Sequence, residues 1–138
     1  MWFYYALLSA LFAVFTAIFA KMGVSNINSN LATAIRTIVI LVIVWSIVFV
    51  KGEAKEIGSL SKINIIFLVL SGVATGLSWL FYFKALQIGK VSQVAAVDKL
   101  SVAIAVILAV LFFKETLTLK TAIGALLIIS GTILFALK

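Results

Sequence analysis

The sequence predicts an all-α integral membrane protein of five transmembrane helices joined by short loops. Two observations carry that reading. Of 138 residues, 65% are hydrophobic and 11% charged, where a soluble domain has roughly a quarter charged, and the mean hydropathy is +1.34. A water-soluble chain this short could not hide so much apolar surface, whereas lipid accepts it on the outside. Second, the apolar residues fall into five runs, at about residues 2–20, 31–50, 63–83, 91–113 and 121–137. Most reach the ~20 residues that a helix needs to cross the hydrocarbon core.

The first run opens on Trp2, Tyr4 and Tyr5, an aromatic belt suited to the headgroup level. Its first basic residue is Lys21, at the far end. A secretory leader carries its cations before the apolar stretch, so an uncleaved first span is expected. Ser25 to Asn30 reads as a turn leading into a capped helix start for the second run. The second run contains Arg36, and the fourth contains Asp98 and Lys99. The fifth is the shortest. The runs are continuous rather than alternating, which argues against a β-barrel. The links at 21–30, 51–62, 84–90 and 114–120 are short and polar, so neighbouring helices run antiparallel. There is no proline, so no span is expected to be broken by one.

Charge and residue usage exclude several functions. The net charge is +7, but most cations sit at the ends of apolar runs, where long stems snorkel to the headgroups. Nucleic acid is therefore not an expected partner; membrane lipid is. The chain has no Cys and no His, and its acids are Glu53, Glu56, Asp98 and Glu115. Without the commonest general base and metal ligand, an enzyme or metal site is not expected, nor is any cofactor. No span shows a polar stripe that would line a wet pore, which argues against a channel.

Small residues recur at helix-packing spacing. Gly72 and Gly76 form a G-x-x-x-G step in the third run, Ala105 and Ala109 repeat it in the fourth, and Gly124 and Gly131 share a face of the fifth. Such rows allow close backbone approach, within one molecule or between two copies. Loop charge is nearly balanced. Lys51, Lys55, Lys62, Lys114 and Lys120 lie on the side of the N-terminus, against Lys21, Lys84, Lys90 and Lys138 on the other. The positive-inside rule finds little to read here.

Arg36, Asp98 and Lys99 are the ionisable residues inside spans. Such groups are costly in lipid and usually face a partner or a cavity. Arg36 lies about 9 Å and Asp98 about 10 Å along helices that start on the same side. The two are therefore expected to pair, which would offset the desolvation of each. Lys99 is turned about 100° from Asp98. Trp79 and Tyr82, three apart on one face of the third run, are candidate pocket residues.

From the third run onward the chain resembles a known family. The residues that carry the likeness are Tyr82-Phe83-Lys84-Ala85-Leu86, the turn Gly89-Lys90-Val91-Ser92, the stretch Leu111 to Thr118 with its Lys114-Glu115-Thr116-Leu117-Thr118 turn, and the pair Gly124 and Gly131. Lys21-Met22-Gly23 and Arg36 match in the first half. Together they resemble the EamA-type domain of the drug/metabolite transporter superfamily over the whole chain, 1–138. Most similar members carry two such five-helix domains, inverted relative to each other. With one, this chain looks like the small five-span branch of bacteria and archaea, and the resemblance implies a prokaryotic plasma-membrane location. The family often has a proline in the fourth helix, where this chain reads Val97-Asp98-Lys99. The four-span multidrug branch uses a glutamate in its first helix to exchange protons for cationic drugs, and the first run here has no acid. Cationic-drug antiport is therefore not expected.

The expected function is that of a small secondary transporter working by alternating access, as an antiparallel homodimer that rebuilds the inverted repeat. Its substrate, a small metabolite of anionic or zwitterionic character, would meet Arg36, Asp98, Lys99, Trp79 and Tyr82. Gly72, Gly76, Gly124 and Gly131 would serve helix or dimer packing. The alternative is a non-transporting membrane subunit or assembly protein.

Overall fold

The computed structural model describes residues 1–137. Five stretches are helical, long and apolar enough to cross a membrane: Trp2–Gly23, Ser29–Val50, Lys62–Ile88, Val91–Phe113 and Leu119–Ala136. No strand occurs among the described residues, so the all-α, five-span class holds. The helices are α1 (Trp2–Gly23), α2 (Ser29–Val50), α3 (Lys62–Ile88), α4 (Val91–Asp98), α5 (Leu100–Phe113) and α6 (Leu119–Ala136). Large apolar side chains such as Phe12, Val42, Phe67 and Leu126 are exposed along them, as lipid-facing surface should be.

Polar residues at the run ends set the helix starts. Asn28 accepts a hydrogen bond from the Asn30 N–H at 2.8 Å, so α2 begins at Ser29, two residues before its apolar run. Ser61 Oγ accepts from Asn64 at 3.2 Å, and Thr118 Oγ1 accepts from Thr121 at 3.2 Å. Each satisfies a backbone donor that the helix start leaves open. The 51–62 link is not extended. Gly52 turns it with φ +71°, and Glu53–Ser59 forms a 3-10 helix.

α5 ends on Lys114 at φ 54°, a left-handed conformation held by a non-glycine residue. A Cβ there costs roughly 1–2 kcal/mol, and helix ends of this kind usually carry glycine. Lys114→Gly is therefore expected to raise the stability by about 1 kcal/mol, read as a higher unfolding temperature of the purified protein.

The chain forms two compact units, Met1–Ile18 with the segment from Ile88 onward, and Phe19–Gln87. In the first, α6 packs along α4 and α5. The fourth span is interrupted at Asp98–Lys99 although no proline is present. The Lys99 N–H donates to the Ala96 carbonyl at 3.0 Å, a tightened turn. That carbonyl also accepts from the buried Thr132 hydroxyl at 3.1 Å. A side chain from α6 thus engages the backbone where the helix departs from regularity, one of the recognised causes of such a break. Thr132→Val keeps the shape and removes the donor. It should cost about 1 kcal/mol, the net worth of one hydrogen bond, measured by thermal unfolding.

In the second unit, α3 continues to Ile88, five residues past its expected end at Phe83. Polar side chains hold this extension. Gln87 Nε2 donates to the carbonyls of Ile27 at 2.9 Å and Val24 at 3.3 Å. The Lys21 ammonium donates to the Leu86 carbonyl, one of the C-terminal carbonyls that a helix cannot satisfy internally. Val24 and Leu86 are fully buried beside these bonds. Lys21 is therefore more than a headgroup anchor: it caps α3 with a favourable charge at the negative end of its dipole. Lys21→Met is expected to destabilise by about 1.5–3 kcal/mol, the range for hydrogen bonds to charged groups, and Lys21→Arg by less.

Candidate functional site

Arg36 stands two turns into α2, beyond Thr33 and Ser29, which are buried. The Thr33 hydroxyl donates back to the Ser29 carbonyl at 2.9 Å and Thr37 to Thr33 at 2.8 Å. These internal bonds leave neither hydroxyl reaching for the guanidinium. Arg36 points at α3 instead. Its guanidinium carbon lies 3.8 Å from the centre of the Trp79 ring and 5.3 Å from that of Phe83. Tyr82 lies within electrostatic reach of the same group. Trp79 and Tyr82 are half-buried and Phe83 is buried.

Periodicity explains why these α3 residues converge. Gly72, Gly76, Trp79 and Phe83 recur at steps of four, three and four, a single stripe of a helix. The lower half of the stripe is aromatic and meets Arg36. The upper half is bare: a Cβ added at Gly72 or at Gly76 would meet no atom within 4 Å. The site is thus a stacked cation beside an open step in a helix face.

The electrostatics of Arg36 are incomplete. Among the described residues it makes no ion pair, and its Nη1 is enclosed with no hydrogen-bond partner. Ring faces attract the cation by roughly 0.5–2 kcal/mol. They do not replace the oxygen acceptors its five N–H groups have in water. A charge held this way favours the arrival of an oxyanion.

The expected partner of Arg36, Asp98, belongs to the other unit, at the break between α4 and α5. There its carboxylate is 3.5 Å from Lys99 Nζ, and both side chains are about half exposed. The long Lys99 stem reaches back to its neighbour despite the turn between their Cα–Cβ directions. Gly124 and Gly131 are half-buried on α6, and a Cβ at either would meet nothing within 4 Å. Ala105 and Ala109 line an open groove of about 290 Å³ that Glu115 and Leu117 also border. Sequence reasoning missed Phe83 and the capping role of Lys21. Phe83 had a signal, since it is four residues from Trp79 on the same stripe. Lys21 had none, because its acceptor lies 65 residues away.

A chain that is nearly all membrane helix, with a half-buried arginine held against aromatic rings inside one span, is a multi-pass membrane protein. It belongs to the EamA-like transporter family, whose model matches residues 1–137. It is 47% identical over 135 residues to an uncharacterised transporter encoded in the cobO 3′ region of a Sinorhizobium species, covering 98% of this chain and 96% of that one. It is also 41% identical over 70 residues to an uncharacterised protein of Methanocaldococcus jannaschii, about half of each chain. No solved structure matches it.

Proposed function

We propose that this protein is a small secondary transporter of the prokaryotic plasma membrane, moving a small anionic or zwitterionic metabolite by alternating access as an antiparallel homodimer. The observation that carries the reading is Arg36, a cation inside a span, stacked on Trp79 with no anionic partner within the Phe19–Gln87 unit. Membership in a transporter family supports the class of function. The Sinorhizobium relative is matched over 96% of its own length by one such set of five spans, which supports the dimer, since two inverted copies would build opposed gates around a shared path. The near balance of loop lysines supports insertion in both orientations.

Purified protein is to be screened for thermal stabilisation against a panel of carboxylates, amino acids, nucleotides and amines. Each stabilising compound is then tested for flux in proteoliposomes. Saturable, protein-dependent flux of an anionic or zwitterionic compound is the expected result. Stabilisation without flux by any of them would favour a non-transporting membrane subunit.

Five spans also predict that the two ends of one molecule lie on opposite sides. Tags at both ends, probed for accessibility in sealed vesicles, should never be protected together. A population with both ends on the same side would overturn the topology.

A further inference from the structure

We infer that the substrate is a small monocarboxylate with a flat or apolar body, its oxyanion on Arg36 and its body on the Gly72–Gly76 step beside Trp79. The inference deepens the transporter reading and rests on it for the word substrate. The site itself rests on the geometry of the Phe19–Gln87 unit alone.

Charge sets the first half of the assignment. Within the Phe19–Gln87 unit Arg36 is a guanidinium without an ion pair, and its Nη1 has no hydrogen-bond partner there. The Trp79 and Phe83 rings lie 3.8 Å and 5.3 Å from its guanidinium carbon, and their carbon surfaces offer its N–H groups no oxygen acceptor. A carboxylate matches the planar fork of the guanidinium. One cation matches one negative charge. A dianion such as phosphate would bring an uncompensated charge into the span, which is costly there. A neutral ligand would leave the cation as poorly served as before.

In an inverted pair the match of one charge to one cation survives. Arg36 is seven residues, about 10 Å, from the start of α2. In the inverted copy it would lie about 10 Å from the opposite face of a ~30 Å core. The two guanidinium groups would then stand at different depths, each meeting a ligand from its own side.

Space sets the second half. Trp79 continues upward on its stripe into Gly76 and Gly72, where an added Cβ would touch nothing within 4 Å. A ligand held at Arg36 would find there an indole edge and a bare helix backbone. Ser71 and Thr75 flank the step, and Thr75 spends its hydroxyl on the Ser71 carbonyl at 2.8 Å. That leaves the surroundings of the step largely apolar and suits an apolar body.

The test uses Trp79 as its own reporter. In a variant with Trp2→Phe and Trp45→Phe, Trp79 is the only indole. The detergent-purified protein is titrated with benzoate, phenylacetate and 3-phenylpropionate, with their neutral amides, and with inorganic phosphate. At least one acid is expected to change Trp79 emission saturably, while its amide and phosphate bind at least 10-fold more weakly. Arg36→Gln should weaken that acid by roughly 10–100-fold, the equivalent of a charged hydrogen bond at 1.4 kcal/mol per decade. Gly76→Leu fills open space, so it should leave the unfolding temperature and the oligomeric state unchanged and weaken the acid at least 10-fold. Failure of all three acids, an amide or phosphate binding as well as its acid, or full affinity in Arg36→Gln would each overturn the assignment. A change of oligomeric state in Gly76→Leu would assign the step to a partner helix instead. Flux separates this inference from the transporter reading. Binding at Arg36 without flux keeps the site and removes transport; flux that survives Arg36→Gln keeps transport and removes the site.

Discussion

Arg36→Met is expected to abolish substrate flux in proteoliposomes while leaving the fold as stable as the parent, or more so. Removing one partner of a buried ion pair strands a charge and costs about 3–5 kcal/mol. Arg36 is a different case, because no carboxylate of its own unit is paired with it. Its loss forfeits about 0.5–2 kcal/mol of ring attraction. It also relieves an enclosed Nη1 that has no acceptor, a debt of about 1–3 kcal/mol or more for a charged group. Methionine keeps the long apolar stem between Trp79 and Phe83. The two terms nearly cancel, so the unfolding temperature should move little. Flux, in contrast, should fall to that of empty vesicles. A structural role for Arg36 would show the opposite pattern, a loss of several kcal/mol with residual transport in the folded fraction.

The second large effect concerns orientation. Adding two or three lysines to the loops at 51–62 and 114–120 should fix one insertion, and adding them to the links at 24–28 and 89–90 should fix the other. The native split, five lysines against four outside the apolar runs, is close enough for so few additions to decide it. Each fixed form alone should lose at least nine-tenths of its transport, since copies of one orientation cannot pair head to tail. Co-expression should restore it. The added charges lie outside the five apolar runs, so each form should still fold, which detergent extraction and monodisperse chromatography would verify. Full activity of either form alone would eliminate the antiparallel dimer and leave a parallel dimer or a monomer.

The helices were legible in the sequence because the cost of placing backbone in lipid is local. Each run of apolar residues must satisfy its own N–H and C=O groups, and a helix does so without help from any other segment. For the same reason the turn from Ser25 to Asn30 could be read as a capped start: the Asn28 acceptor bonds a donor only two residues ahead. Arg36 could be singled out because a cation among twenty apolar neighbours needs an explanation wherever the helix goes. What held it could not be read, because Trp79 and Phe83 lie more than forty residues further along, and only the tertiary structure brings their rings to the guanidinium. The same limit applies to the end of α3. Its apolar run stops near Phe83, but Lys21 and Gln87 bond across long sequence separations and carry the helix on to Ile88. It applies again to the fourth span. Without a proline the sequence reads Val91 to Phe113 as one helix. The Asp98–Lys99 break becomes visible only with Thr132, 36 residues away, donating to Ala96. Local chemistry determined which segments are helices; partners distant in sequence decided where the fourth span is interrupted, how α3 ends and what surrounds the one arginine.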